Sequence, residues 1–181
     1  IRMMTFMHRD GQEYLYTDIP YMITVELLEK DYMEYKFLLE KYAEYKSTEE
    51  YQEIREEESG LEDHLTKKLN DTSEYDVWYS THLHCLVYLA GEPSDFAKSE
   101  RTKLKYGEDW SVPWYGWETS IPEEDAIYIA QLMISLGAKM NIPNFYGETL
   151  LENLDKKGRI TGRENEGFAN YMKIQYITNN Q

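Results

Sequence analysis

From Val25 to Tyr42 the residues Val25, Leu28, Tyr32, Tyr35, Leu39 and Tyr42 recur at steps of three, four, three, four and three. That alternation follows the 3.6-residue turn of an α-helix and lines the side chains up as one apolar stripe, which Leu27, Phe37 and Leu38 widen. A stripe of this kind has to be covered, so the chain is committed to helix packing. The seam is either a short coiled coil or, because it runs for fewer than three heptads, a face packed within its own fold. Its three tyrosines let hydroxyls reach water at the edge of the stripe. Thr24 stands ahead of the run as an N-cap, with Glu26 and Glu29 in the first turns.

Upstream, "MMTFMHRDGQEYLYTD" sets two Tyr/Phe/Met-rich runs around Asp10-Gly11. That dipeptide favours the positive φ of a tight hairpin turn, which predicts strands near 3–8 and 13–17, ended by Ile19-Pro20. Downstream, "STEEYQEIREEESGLEDHL" offers Ser47 or Thr48 as a cap, with Glu50 placed for a capping box. Tyr51, Ile54, Leu61, Leu65 and Leu69 continue a helical stripe, and Ser59-Gly60 should bend or break it.

The other surface of this segment carries Glu49, Glu50, Glu53, Glu56 and Glu57. Carboxylates four residues apart on a helix repel each other by tenths of a kcal/mol, so the face is strained rather than optimised. The formal charge of the chain is −15, and residues 26–63 hold 14 Asp/Glu against 5 Lys/Arg, a net of −9. Such a surface repels phosphate, which argues against direct nucleic-acid binding. It serves either solubility or attraction to a basic protein partner.

At 181 residues the chain is most simply one domain, divided into a hairpin (1–20), an acidic helical segment (24–70) and a C-terminal helical part (75–181) with an insertion at 92–120. The expected class is mostly α, of the α+β kind. No apolar run approaches the roughly 18 residues of a membrane span. Ile1-Arg2-Met3-Met4 lacks a signal-peptide layout, and the opening Ile suggests loss of an initiator Met or a tag. The lone Cys85 fits a reducing compartment, so a cytoplasmic protein without membrane association is expected.

In "LGAKMNIPNFYGETLL", Gly137 should end a helix as a left-handed cap, Asn144 and Gly147 should form a β-turn, and Thr149 should cap the next helix. "SIPEEDAIYIAQLMISLG" ahead of it reads as that first helix, with Ser120 as cap, Pro122 near N1 and acids in the first turn. The succession Met133-Ile134, Gly137-Ala138, Asn141, Asn144, Gly147, Thr149, Leu151 resembles an ankyrin repeat over about residues 121–158. Leu150 and Glu152 stand where that family has Pro and His, and only one unit is clear. "STHLHCLVYLAG" is a partial echo, with Thr81, Leu83 and His84 in the positions of Thr-Pro-Leu-His. One repeat whose two helices are separated by the 92–120 insertion accounts for both stretches. The resemblance implies a helical-hairpin unit and protein binding, with no catalytic residues, and the N-terminal helices would cap the missing side of the stack.

His82, His84 and Cys85 invite a metal reading, but rings at i and i+2 fall on nearly opposite sides of a helix, and the resemblance makes His84 a structural, hydrogen-bonded residue. No metal or cofactor is expected, and no phosphate-loop, nucleophile-elbow or dinucleotide motif is present in the sequence. Trp110, Trp114, Tyr115 and Trp117 either plug the insertion onto the core or anchor a partner. Glu123-Glu124 reads as helix N-terminal charge rather than a carboxylate dyad. The expectation is a non-enzymatic inhibitor that occupies a basic, nucleic-acid-binding surface of a partner, such as a nuclease or another nucleic-acid-binding protein. In size and charge it is similar to small phage anti-CRISPR and antirestriction proteins, and the alternatives are an immunity protein against a nuclease toxin or an enzyme with an unrecognised site.

Overall fold

The computed structural model describes residues 4–73, 80–91, 121–154 and 166–179. It is mostly helical with a small N-terminal hairpin. Strands β1 (Thr5–Met7) and β2 (Glu13–Leu15) pair antiparallel, Thr5 opposite Leu15 and Met7 opposite Glu13. Asp10 accepts the Gln12 N–H at 2.8 Å, and Gly11 takes φ +84°. Both strands are shorter than the sequence suggested. Tyr16–Asp18 winds into a 3-10 turn instead, which stacks the Tyr16 ring on Tyr45 at 5.1 Å.

Short α1 (Ile19–Met22) follows, with Pro20 in its first turn, and then α2 (Val25–Lys30), whose Thr24 cap accepts the Leu27 N–H. The expected single helix is two. Asp31 leaves helical geometry at φ −150°, closes α2 by donating its N–H to the Leu27 carbonyl, and caps α3 (Tyr32–Lys46) by accepting from the Glu34 N–H. The stripe survives the break, since Val25, Leu28, Tyr35, Leu39 and Tyr42 are all buried. Two of the three stripe hydroxyls are bonded inside rather than to water: Tyr35 shares a 2.7 Å hydrogen bond with His82 Nδ1, and Tyr42 donates to Asp63, whereas Tyr32 is half-buried.

Helix α4 (Glu49–Glu57) starts at Thr48, which accepts the Tyr51 N–H. Thr48 as cap puts Glu50 one position short of the capping-box site. The predicted break falls at residues 58–60, with Gly60 at φ +91°, and it ejects Leu61 from the stripe to 63% exposure. Asp63 then caps α5 (His64–Leu69) through the Leu65 and Thr66 N–H groups.

Every residue of α6 (His82–Leu89) is buried. Helix α7 (Glu123–Ser135) begins after Pro122, which is the N-cap rather than N1; Ser120 lies outside the described residues. Leaving α6 and entering α7, the chain is joined by a parallel bridge between Ala90 and Ile121: Gly91 N–H donates to Ile121 O at 2.8 Å, and Ile121 N–H to Leu89 O at 3.0 Å. Gly137, at φ +100°, ends α7 as predicted, with its N–H on Ile134 O and the Ala138 N–H on Met133 O. The turn at 144–147 closes through Gly147 N–H to Asn144 O, and Thr149 caps the helical turn α8 (150–154) by accepting from Glu152 N–H. Helix α9 (Glu166–Asn179) packs back on α7.

Helix α5 fastens the N-terminal helices to this C-terminal part. Thr66 Oγ1 donates to Leu136 O at 2.7 Å, Asn70 Nδ2 donates to Gly137 O at 3.0 Å, and Asn70 Oδ1 accepts the Lys139 N–H at 2.8 Å. These bonds satisfy carbonyls that a helix end leaves open. Buried side chains from Phe6 to Met172 form one cluster.

Candidate protein-docking surface

Glu49, Glu53, Glu56 and Glu57 are exposed along α4, and Glu50 is half-buried. None of the five forms an ion pair among the described residues; on this helix Arg55 pairs with Glu58 instead, at 3.8 Å. Five carboxylates over nine residues of helix, at 1.5 Å of rise each, give one charge per about 2.7 Å. That density lies between the roughly 1.7 Å of duplex DNA and the 3.4 Å of a single strand.

A repulsive face needs anchoring from beneath, and Tyr51 supplies it. Its ring is buried against Tyr42 and Tyr45 in edge-to-face contacts, and its hydroxyl donates to Asp63 Oδ2 at 2.7 Å, beside the Tyr42 hydroxyl at 2.8 Å. Asp63 therefore joins α3, α4 and α5 through four hydrogen bonds to one carboxylate. Burial alone would raise its pKa, but the bonds from Tyr51, Tyr42 and the Thr66 N–H, with the Lys46 charge, hold it below the ordinary value. Burial and the same carboxylate push both tyrosines above theirs.

The histidines of "THLHC" serve separate bonds. His84 Nε2 contacts Ile142 O at 2.9 Å, and a carbonyl only accepts, so this nitrogen carries the proton. Nδ1 is then the acceptor of the Asn153 amide N–H. One imidazole thus ties α6 to the 140s loop and to α8. Burial pushes its pKa down, against smaller upward effects of the Ile142 bond and the Glu148 charge.

Trp110, Trp114, Tyr115 and Trp117 lie outside the described residues. Two exposed aromatics that sequence reasoning passed over are Phe145 and Tyr146, which meet edge to face at 5.4 Å on the tip of the 144–147 turn. Asn144 braces that tip, its side-chain oxygen accepting the Tyr146 and Glu148 N–H groups. Asp63 was also missed, although an Asp placed directly before "HLTKKL" is a legible helix cap. No family model, curated protein or solved structure matches the chain. Among the described residues no helix is long and apolar enough to cross a membrane.

Proposed function

We propose that the protein is a non-enzymatic inhibitor that binds a partner protein through a basic, nucleic-acid-contacting surface of that partner, in the manner of anti-CRISPR or antirestriction proteins. The observation that carries this reading is the row of unpaired carboxylates on α4, held at near-nucleic-acid charge density on a helix bolted down by Tyr51 and Asp63. A face that only kept the protein dispersed would not require such dense like charge on one anchored helix. The ankyrin-like unit belongs to the same proposal as the rigid body behind this face, and Trp110, Trp114, Tyr115 and Trp117 as its apolar anchor.

The test begins with capture of partners from host lysate at low and high salt, followed by kinetics on the partner found. Exposed charges set the association rate, whereas buried aromatics set dissociation. E49K/E53K/E57K should slow association, most at low salt, and change stability by less than about 1 kcal/mol. Trp114→Ala should speed dissociation by an amount equivalent to about 2 kcal/mol. An association rate unaltered by the charge reversal across the salt range would defeat the proposal.

A further inference from the structure

Two concavities adjoin on the side of the molecule formed by α1, α4 and α5. One, of about 400 Å³, is lined by Asp18, Glu57, Glu58 and Asp63, with Arg55 paired to Glu58. The second, of about 610 Å³, is lined by Lys67, Lys68 and Lys139, with Glu62 and Asp71. They share Pro20, Tyr21 and His64, which form the ridge between them. Tyr21 is 78% exposed on that ridge.

The charges on the two sides are opposite and are not spent on each other. Asp18 and Glu57 on one side, and Lys67 and Lys139 on the other, are exposed and in no ion pair among the described residues. A two-fold interface needs a patch that complements itself, because residue i of one copy meets residue j of the other and the reverse. An acidic hollow and a basic hollow flanking one aromatic ridge meet that condition: rotation about the ridge lays each lysine hollow over the other copy's carboxylates. A small free anion fits less well, since the adjoining carboxylates repel it.

We infer that this face is an isologous interface for a second copy of the chain, with Tyr21 packed near the two-fold axis and Asp18 and Glu57 of each copy opposite Lys67 and Lys139 of the other. This inference does not rest on the inhibitor reading and is tested on purified protein alone; Glu57 is the one residue of the α4 row that lines the hollow, so a second copy and a basic partner compete for it and not for Glu49, Glu53 or Glu56. The net charge of −15 opposes association at low ionic strength, while salt weakens the specific pairs. Salt dependence is therefore ambiguous, and charge exchange is the decisive experiment.

Sedimentation equilibrium on the 21.6 kDa chain should show twice that mass emerging between about 10 µM and 1 mM, the range of a weak interface. D18K/E57K should weaken self-association by about tenfold or more, although it lowers net repulsion by taking the charge from −15 to −11. K67E/K139E should weaken it similarly. An equimolar mixture of the two variants should recover the doubled mass, since each acidic face then meets a basic one. Circular dichroism melts check that both variants fold. A wild-type chain that stays monomeric throughout, variants that associate like wild type, or a mixture that stays monomeric would each overturn the inference.

Discussion

Tyr51 and Asp63, twelve positions apart, are joined by a hydroxyl-to-carboxylate bond that sets the acidic helix α4 against the start of α5. Removing the acceptor does more damage than removing the donor. Asp63→Ala deletes a helix cap and leaves the buried Tyr42 and Tyr51 hydroxyls without their partner, a loss of about 3 kcal/mol or more. Tyr51→Phe removes one charge-assisted bond and costs about 2 kcal/mol. Asp63→Asn should fall nearer the second value, because its one oxygen must serve either the cap or the tyrosines. Urea titrations of the three variants give the order directly; equal losses for Asp63→Ala and Tyr51→Phe would contradict the shared-acceptor geometry.

Stability should fall at both ends of the pH range. His84 has a folded pKa below its ordinary value of 6.5. As pH drops through that value the unfolded chain takes up a proton that the folded chain refuses, so stability declines. Asp63 adds a second acid loss: its folded pKa lies below 3.8, so its contribution is complete above that value and disappears as pH falls through the folded pKa. On the alkaline side, Tyr42 and Tyr51 keep their protons in the fold while the unfolded chain ionises above about 10. Melting temperature against pH should therefore decline below about 6.5 and above about 10. In Tyr51→Phe the Asp63 part of the acid loss should be smaller and end at a higher pH, because Asp63 has lost a bond that depressed its folded pKa, while its onset, set by the unfolded chain, stays where it was.

Gly137→Ala should be among the costlier small substitutions. The backbone there has φ +100°, and an added Cβ would lie 2.6 Å from both Thr66 Cγ2 and Thr66 Oγ1. Thr66 cannot easily yield, because its hydroxyl holds the Leu136 carbonyl. Backbone strain and overpacking together should cost about 2 kcal/mol or more. Gly11→Ala, at φ +84° with nothing within 4 Å of the added carbon, is the control and should cost less. Chemical denaturation of the pair separates the two causes.

The parts of this fold legible in the sequence are those written in neighbouring residues. Thr24, Gly137 and Thr149 were each readable because a helix end is satisfied within three or four positions of its cap, which also narrowed the start of α4 to Ser47 or Thr48. What escaped was decided across the chain. Asp31 breaks a stripe whose periodicity runs straight through it, since a carboxylate that caps one helix while closing another leaves no trace in apolar spacing. Leu61 continues the period on paper, yet the left-handed Gly60 turns it to solvent. The acidic row on α4 was visible from composition, but the Tyr51–Asp63 fastening beneath it and the paired hollows around Tyr21 depend on tertiary neighbours.

The bridge between Ala90 and Ile121 joins the two points at which the 29-residue cassette 92–120 leaves and re-enters the described fold. Closing a flexible loop costs only about 0.6 kcal/mol more for each doubling of its length, and here the two gateposts are already hydrogen-bonded to each other within the core. A lineage carrying this scaffold can therefore lengthen, shorten or rewrite that cassette while α6 and α7 keep their places. Under the proposed inhibitor function, the stretch that holds Trp110, Trp114 and Trp117 is where recognition would change, while the hydrogen bonds between Leu89, Gly91 and Ile121 keep the two helices in register.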